Sequence, residues 1–151
     1  MPVGMIISVS ALIALVPAAL LPLRGAHSRD PTFWILLAVA VAGPLGVVYV
    51  LFASGWRTGL SSALWLTIAV SLVIFAGLAA RTRAGWRLVP LLLPYLILFG
   101  VLATVWQNQP ERLLLDTGLS AWTQLHIGLA VIAYALLTIG AVAGLSVFLQ
   151  E

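Results

Sequence analysis

Two side chains in this sequence, His27 and His126, carry imidazole chemistry near neutral pH, and no cysteine accompanies them. Disulfides and thiolate metal sites are therefore excluded within the chain. There is no lysine, which removes the glycine-rich phosphate loop that depends on one, and no Gly-x-Ser-x-Gly nucleophile turn. The four acids, Asp30, Glu111, Asp116 and Glu151, all lie outside the long apolar runs. A buried carboxylate relay for protons or cations is absent with them. Ser61, Ser62 and Ser71 are isolated hydroxyls, expected to bond their own backbone or a neighbouring helix. No catalytic residue emerges, and the chain reads as a non-enzyme.

His27 sits between Arg24 and Arg29 in a short polar segment and reads as a plain loop residue. His126 lies instead at the entry to a long apolar run, in Trp122-Thr-Gln-Leu-His126-Ile-Gly. Two readings stand for it. Neutral imidazole is a ligand for metals and haem iron, and an ionisable group at the edge of such a run is a functional candidate. An interfacial histidine that bonds a neighbour or lipid headgroups has the same sequence signature. At 100° per residue, Trp122, Ala130, Ala133, Leu137, Gly140 and Gly144 fall within about 40° of His126 on a helix. The stripe is mostly small and contains Gly140-x-x-x-Gly144, the spacing that lets a helix or a flat ligand approach a backbone closely.

The elements that hold these residues follow from composition. The chain has 151 residues, 63% hydrophobic and 7% charged, with a mean hydropathy of +1.18. Ordinary soluble domains carry about 25% charged residues. Eleven charges cannot cover a water-facing surface, so the solvent for most of this chain is lipid. Seven arginines against four acids give a net charge of +3. They are too scattered for a nucleic-acid footprint and fit the arginine bias of membrane loops.

All charges fall at 24–30, 57, 81–87, 111–116 and 151. The uncharged stretches between them each exceed the ~20 residues a helix needs to cross a ~30 Å hydrocarbon core. Barrel strands would alternate polar and apolar, and runs 34–42 and 64–80 do not. The expected fold is all-α, a single polytopic bundle over 1–151 with helices near 5–23, 33–53, 60–79, 88–106 and 121–149. Nothing charged precedes Arg24, so the first helix reads as retained rather than as a cleaved signal peptide. Pro44 falls mid-span, where neighbouring helices are expected to accommodate it. Trp34, Trp56, Trp86, Trp106 and Trp122 fit aromatic belts, while Trp65 falls inside a span. Asp116 or Ser120 is a reasonable cap for the fifth helix.

The run from Trp122 through His126, Tyr134-Ala135 and Gly140 resembles the CcsA-type cytochrome c assembly family, particularly its YpjD/HemX-like branch. The likeness covers about thirty residues, whose Trp, His, Tyr-Ala and Gly stand in the family's register. The four preceding helices match only in number and hydrophobicity. What the resemblance implies is a polytopic membrane protein that binds or presents haem outside the membrane during c-type cytochrome maturation. His126 would be the first of two histidines flanking a tryptophan-rich Trp-Gly-x-x-Trp-x-Trp-Asp segment, and so an axial ligand to haem iron. Trp122, Gly140 and Gly144 would line the packing face beside it.

This chain has no Trp-x-Trp-Asp and no second outer histidine. The family continues for several helices beyond the fifth, so the expectation is the N-terminal part of a longer protein holding half a site. The implied setting is the bacterial inner membrane. The implied partners are the lipid bilayer, haem, other cytochrome c assembly proteins and apocytochrome c, with no nucleic acid. The alternatives are a non-catalytic membrane scaffold or subunit without haem, and the membrane part of a small-molecule transporter. The latter is disfavoured by spans that lack charges and paired broken helices.

Arginine placement gives an orientation. The first and third loops hold Arg24, Arg29, Arg81, Arg83 and Arg87, and the second and fourth hold Arg57 and Arg112. By the positive-inside rule, the N-terminus is outside, the first and third loops are cytoplasmic, and Glu151 is inside. Reporter fusions after Arg57 and after Arg112 are expected to read as outside, and fusions within 81–87 as cytoplasmic. The reverse pattern would overturn the orientation.

Overall fold

A computed structural model of the chain describes residues 3–24, 30–53, 57–82, 85–109, 112–113 and 121–149. Five helices account for nearly all of them: α1 (Val3–Ala19), α2 (Pro31–Phe52), α3 (Leu60–Arg81), α4 (Val89–Trp106) and α5 (Ala121–Phe148). A 3-10 turn at Leu21–Arg24 extends α1, and another at Gly85–Leu88 leads into α4. All five spans are long and apolar enough to cross a membrane, with mean hydropathies of 2.2–2.5. The protein is a polytopic, all-α membrane protein. The helices begin and end within a few residues of their expected positions. The largest difference is at the end of α1, where α-helix gives way after Ala19 and the 3-10 turn carries Pro22.

Helices α1 to α4 close into a ring. α1 packs on α2 and α4, and α3 packs on α2 and α4 from the other side. The seams are legible as spacing. Ser8, Ala11, Leu15 and Ala18 are the buried positions of α1, and Phe33, Leu37, Ala40, Pro44 and Val47 those of α2. Steps of three and four keep one face of each helix on its neighbour, as in nearly antiparallel bundles. Pro44 lies buried within a continuous α2. At the open end of the ring, the Ser8 hydroxyl donates to Gln107 Oε1 at 2.8 Å, fastening the start of α1 to the end of α4.

α5 stands outside the ring. It packs on α3 and only grazes α4. At the same end of the bundle as the Ser8–Gln107 bond, β1 (Arg57–Thr58) pairs antiparallel with β2 (Arg112–Leu113), opposing Arg57 to Leu113 and Thr58 to Arg112. This short ladder ties the α2–α3 and α4–α5 connections together, as an up-and-down chain requires of its second and fourth loops. Asp30 precedes α2 without a side-chain capping bond, and Pro31 occupies the first turn, where a missing N–H costs little. The cap expected of Asp116 or Ser120 at the start of α5 falls outside the described residues.

α1 and α2 approach each other closely at Gly43. A Cβ there would stand 3.1 Å from Ala14 Cβ, 3.2 Å from Ala11 Cα and 3.3 Å from the Ala11 carbonyl oxygen. Gly77, by contrast, has nothing within 4 Å of its would-be Cβ. Gly43→Leu is therefore expected to destabilise the bundle by roughly 1–3 kcal/mol through overpacking of α1 on α2. Gly77→Leu is expected to leave the melting temperature in detergent unchanged. Equal effects would remove the close approach as an organising contact.

Candidate functional site

At 1.5 Å per residue, the 28 residues of α5 rise about 42 Å, against the ~30 Å of a hydrocarbon core. About eight residues must therefore lie beyond it or be taken up by tilt. The polar residues decide which end protrudes. Thr123, Gln124 and His126 cluster in the first two turns, while the last turns are apolar apart from Ser146, whose hydroxyl is spent on the Ala143 carbonyl. His126 thus lies in the end of α5 that these surplus residues extend past the hydrocarbon, and its side chain is exposed.

The face on which His126 stands is set by what α5 buries. Its buried positions are Ala135, Ile139 and Val142. On a helical wheel these lie between about 140° and 180° from His126, on the far side of the helix. The seam against α3 therefore turns the His126 stripe outward. Trp122 is 75% exposed on that stripe, and Cβ atoms built at Gly140 and Gly144 would meet nothing within 4 Å. His126, Trp122, Gly140 and Gly144 share one face, as expected, but no helix among the described residues packs against it. The expected Gly-x-x-x-Gly contact is not made among the described residues.

His27 lies outside the described residues, as do Trp56, Arg29, Arg83, Glu111 and Asp116. Of the other tryptophans, Trp34 and Trp106 are exposed near helix ends, and the Arg87 guanidinium lies 6.0 Å from the centroid of the Trp86 ring. These positions fit an interfacial belt. Among the serines expected to be satisfied, Ser62 has a partner, whereas Ser71 Oγ is fully buried without one. No group of three or more potential metal-ligating side chains occurs among the described residues, so His126 is the lone candidate ligand on its face.

A feature that motif reasoning missed lies beside the stripe. Because α5 leans on α3 and diverges from α4, a groove of about 490 Å³ opens between α4 and α5 with α3 as its floor. Thr67 lies on the floor, Tyr95 and Phe99 form one wall, and Tyr134, Leu137 and Thr138 form the other. The Tyr95 and Phe99 rings stack in a tilted pair with centroids 4.4 Å apart. The available signal was depth. Both tyrosines sit inside spans rather than in the interfacial belts where tyrosine is enriched.

Since Gly140 and Gly144 face open space, the double variant Gly140→Leu/Gly144→Leu is expected to leave the stability of the isolated chain within about 0.5 kcal/mol of the wild type, as for surface substitutions. A melting-temperature loss comparable to that of Gly43→Leu would mean that the stripe is packed after all.

No protein-family model matches the chain, and no solved structure matches it. The chain is similar to a protein of Azospirillum brasilense described as an uncharacterized 28.8 kDa protein in the nifR3-like 5' region. The two are 44% identical over 153 aligned positions, which cover 98% of this chain and 56% of that protein. The chain thus spans little more than half the length of this relative.

Proposed function

We propose that this polytopic membrane protein binds or presents haem on the outer side of a bacterial inner membrane, in the manner of the cytochrome c assembly proteins it resembles. The observation that carries the reading is the placement of His126. Its side chain is exposed in the first turns of α5, on a small-residue face that no helix of the described chain covers. Neutral imidazole supplies an axial nitrogen to haem iron, and a small-residue face leaves room for a flat macrocycle beside the helix. The order Trp122, His126, Tyr134-Ala135 and Gly140 adds the sequence register of the family.

In this reading haem is cargo. His126 holds the iron and Trp122, one turn away, offers an aromatic edge next to it, while Gly140 and Gly144 continue the same open face about 21 and 27 Å further along the helix. Covalent attachment to apocytochrome c would belong to partner assembly proteins, and this chain contributes binding and orientation. A single histidine gives half of a bis-histidine site, so affinity in this chain alone is low.

The test is a haemin titration of the purified chain in detergent, followed at the Soret band. Binding is expected to be weak, and to strengthen when free imidazole supplies a second axial ligand. His126→Ala is expected to abolish the spectral change without affecting membrane insertion, whereas His27→Ala leaves it intact. An unchanged spectrum in His126→Ala would overturn the proposal and leave an interfacial histidine on an uncatalytic membrane scaffold.

A further inference from the structure

The groove between α4 and α5 contains hydroxyls that no described residue satisfies. Among the described residues, the Tyr95 and Tyr134 phenols have no hydrogen-bond partner, nor does the Thr138 hydroxyl. Thr67 donates its proton to the Ala63 carbonyl at 2.8 Å, and its oxygen can still accept. Tyr95 is the eleventh residue of the 22-residue span Gly85–Trp106, which puts it at the middle of the membrane. Tyr134 lines the same groove from α5. Even if all eight surplus residues of α5 lie ahead of the hydrocarbon, Tyr134 is about 8 Å inside it.

Depth decides what can meet these phenols. Water is absent there, and an unpaired hydroxyl in hydrocarbon costs on the order of 1–3 kcal/mol. Phospholipid ester carbonyls lie at the interface, a full turn or more away, and acyl chains accept no hydrogen bonds. A transmembrane helix seated in the groove would have to accept through the second lone pairs of its carbonyls or through polar side chains, and it is the occupant that the test has to separate from a small molecule. An apolar molecule of the hydrocarbon layer with free carbonyl oxygens of its own meets both phenols most simply. The rings add a shape requirement, since the Tyr95–Phe99 pair faces Tyr134 across the groove and favours a flat, stackable group. The volume of about 490 Å³ lies within the ~300–1,000 Å³ of small-molecule sites, which combine apolar walls with a few convergent polar groups.

We propose that the α4–α5 groove binds a membrane-soluble ring compound bearing carbonyl oxygens, of the prenylated quinone class, with the Tyr95 and Tyr134 phenols donating to its carbonyls. The groove opens toward lipid, since Tyr134 and Leu137 on its α5 wall are 63% and 68% exposed, so the ligand enters sideways from the bilayer. Thr138 lines the groove where it can donate to a substituent oxygen, while the Thr67 proton is committed to the Ala63 carbonyl. The proposal concerns binding alone, and it is independent of His126 and of haem.

Decylubiquinone, with decylbenzene as a carbonyl-free control, is titrated by calorimetry into the purified full chain in detergent micelles. The quinone is expected to bind saturably above its partitioning into empty micelles, and decylbenzene is not. Tyr95→Phe/Tyr134→Phe keeps both rings and the fold, and is expected to weaken quinone binding at least tenfold. Leu137→Trp, which fills the groove from an exposed position, is expected to abolish it. The infrared carbonyl stretch of bound quinone is expected to shift down in the wild type and return toward its free value in the double Phe variant. Saturable binding of both compounds alike, or quinone binding untouched by the Phe substitutions, would mean an apolar crevice only and overturn the proposal. So would the absence of saturable quinone binding to the folded wild type.

Discussion

The seating of α3 against three other helices is the contact on which the rest of the bundle depends. Lipid tails are as apolar as leucine, so helices in a bilayer associate through close fit rather than through escape from water. α3 achieves that fit with small residues placed around much of its circumference. Ser61, Ser62, Ala69, Ser71 and Ala79 are all buried, and they let α2, α4 and α5 approach different sides of one helix. Trp65 fills the space that remains. It is fully buried, with its ring 3.5 Å from where Gly100 of α4 would carry a Cβ and Leu12 of α1 closing the same spot. The fit has a polar cost, because Trp65 Nε1 and Ser71 Oγ are buried without hydrogen-bond partners.

The asymmetry of the molecule follows from that seating. Once α1 to α4 have closed their ring, α3 offers one free side, and α5 takes it with Ala135, Ile139 and Val142. Attachment through a single seam leaves the opposite face of α5 for something else. The bulky Tyr95, Phe99 and Tyr134 occupy the angle between α4 and α5 and line the groove there. The aromatic groove and the His126 stripe are thus two consequences of one packing decision at α3.

The architecture was legible in the sequence because the physics that imposes it is one-dimensional. Charges at 24–30, 57, 81–87 and 111–116 mark the places where the chain leaves the hydrocarbon, and spans between them must be helices. The identity of the His126 face was legible too, since it needs only the 100° step of a helix. Whether that face is covered could not be read, because it depends on which side of α5 meets α3. Gly140-x-x-x-Gly144 has the small-residue spacing of a contact, yet the seam runs through Ala135, Ile139 and Val142 on the other side. Gly43, in no such motif, makes a close backbone approach to α1. The groove was invisible for a similar reason, as its walls come from residues nearly forty positions apart.

Depth separates what the two surfaces of α5 can do. His126 and Tyr134 are eight residues apart, a rise of about 12 Å, and their directions differ by about 80°. One lies in the end of α5 that extends past the hydrocarbon, so anything it ligates can exchange with the aqueous side. The other lies in hydrocarbon, so anything it bonds must arrive through lipid. Leu137 and Ala141, at about 20° and 60° from His126, join the two sectors on the same helix. An aqueous-side cargo at His126 and a lipid-borne molecule against Tyr134 would therefore share α5 without contesting the same volume, each recognised by a group suited to its own layer of the membrane.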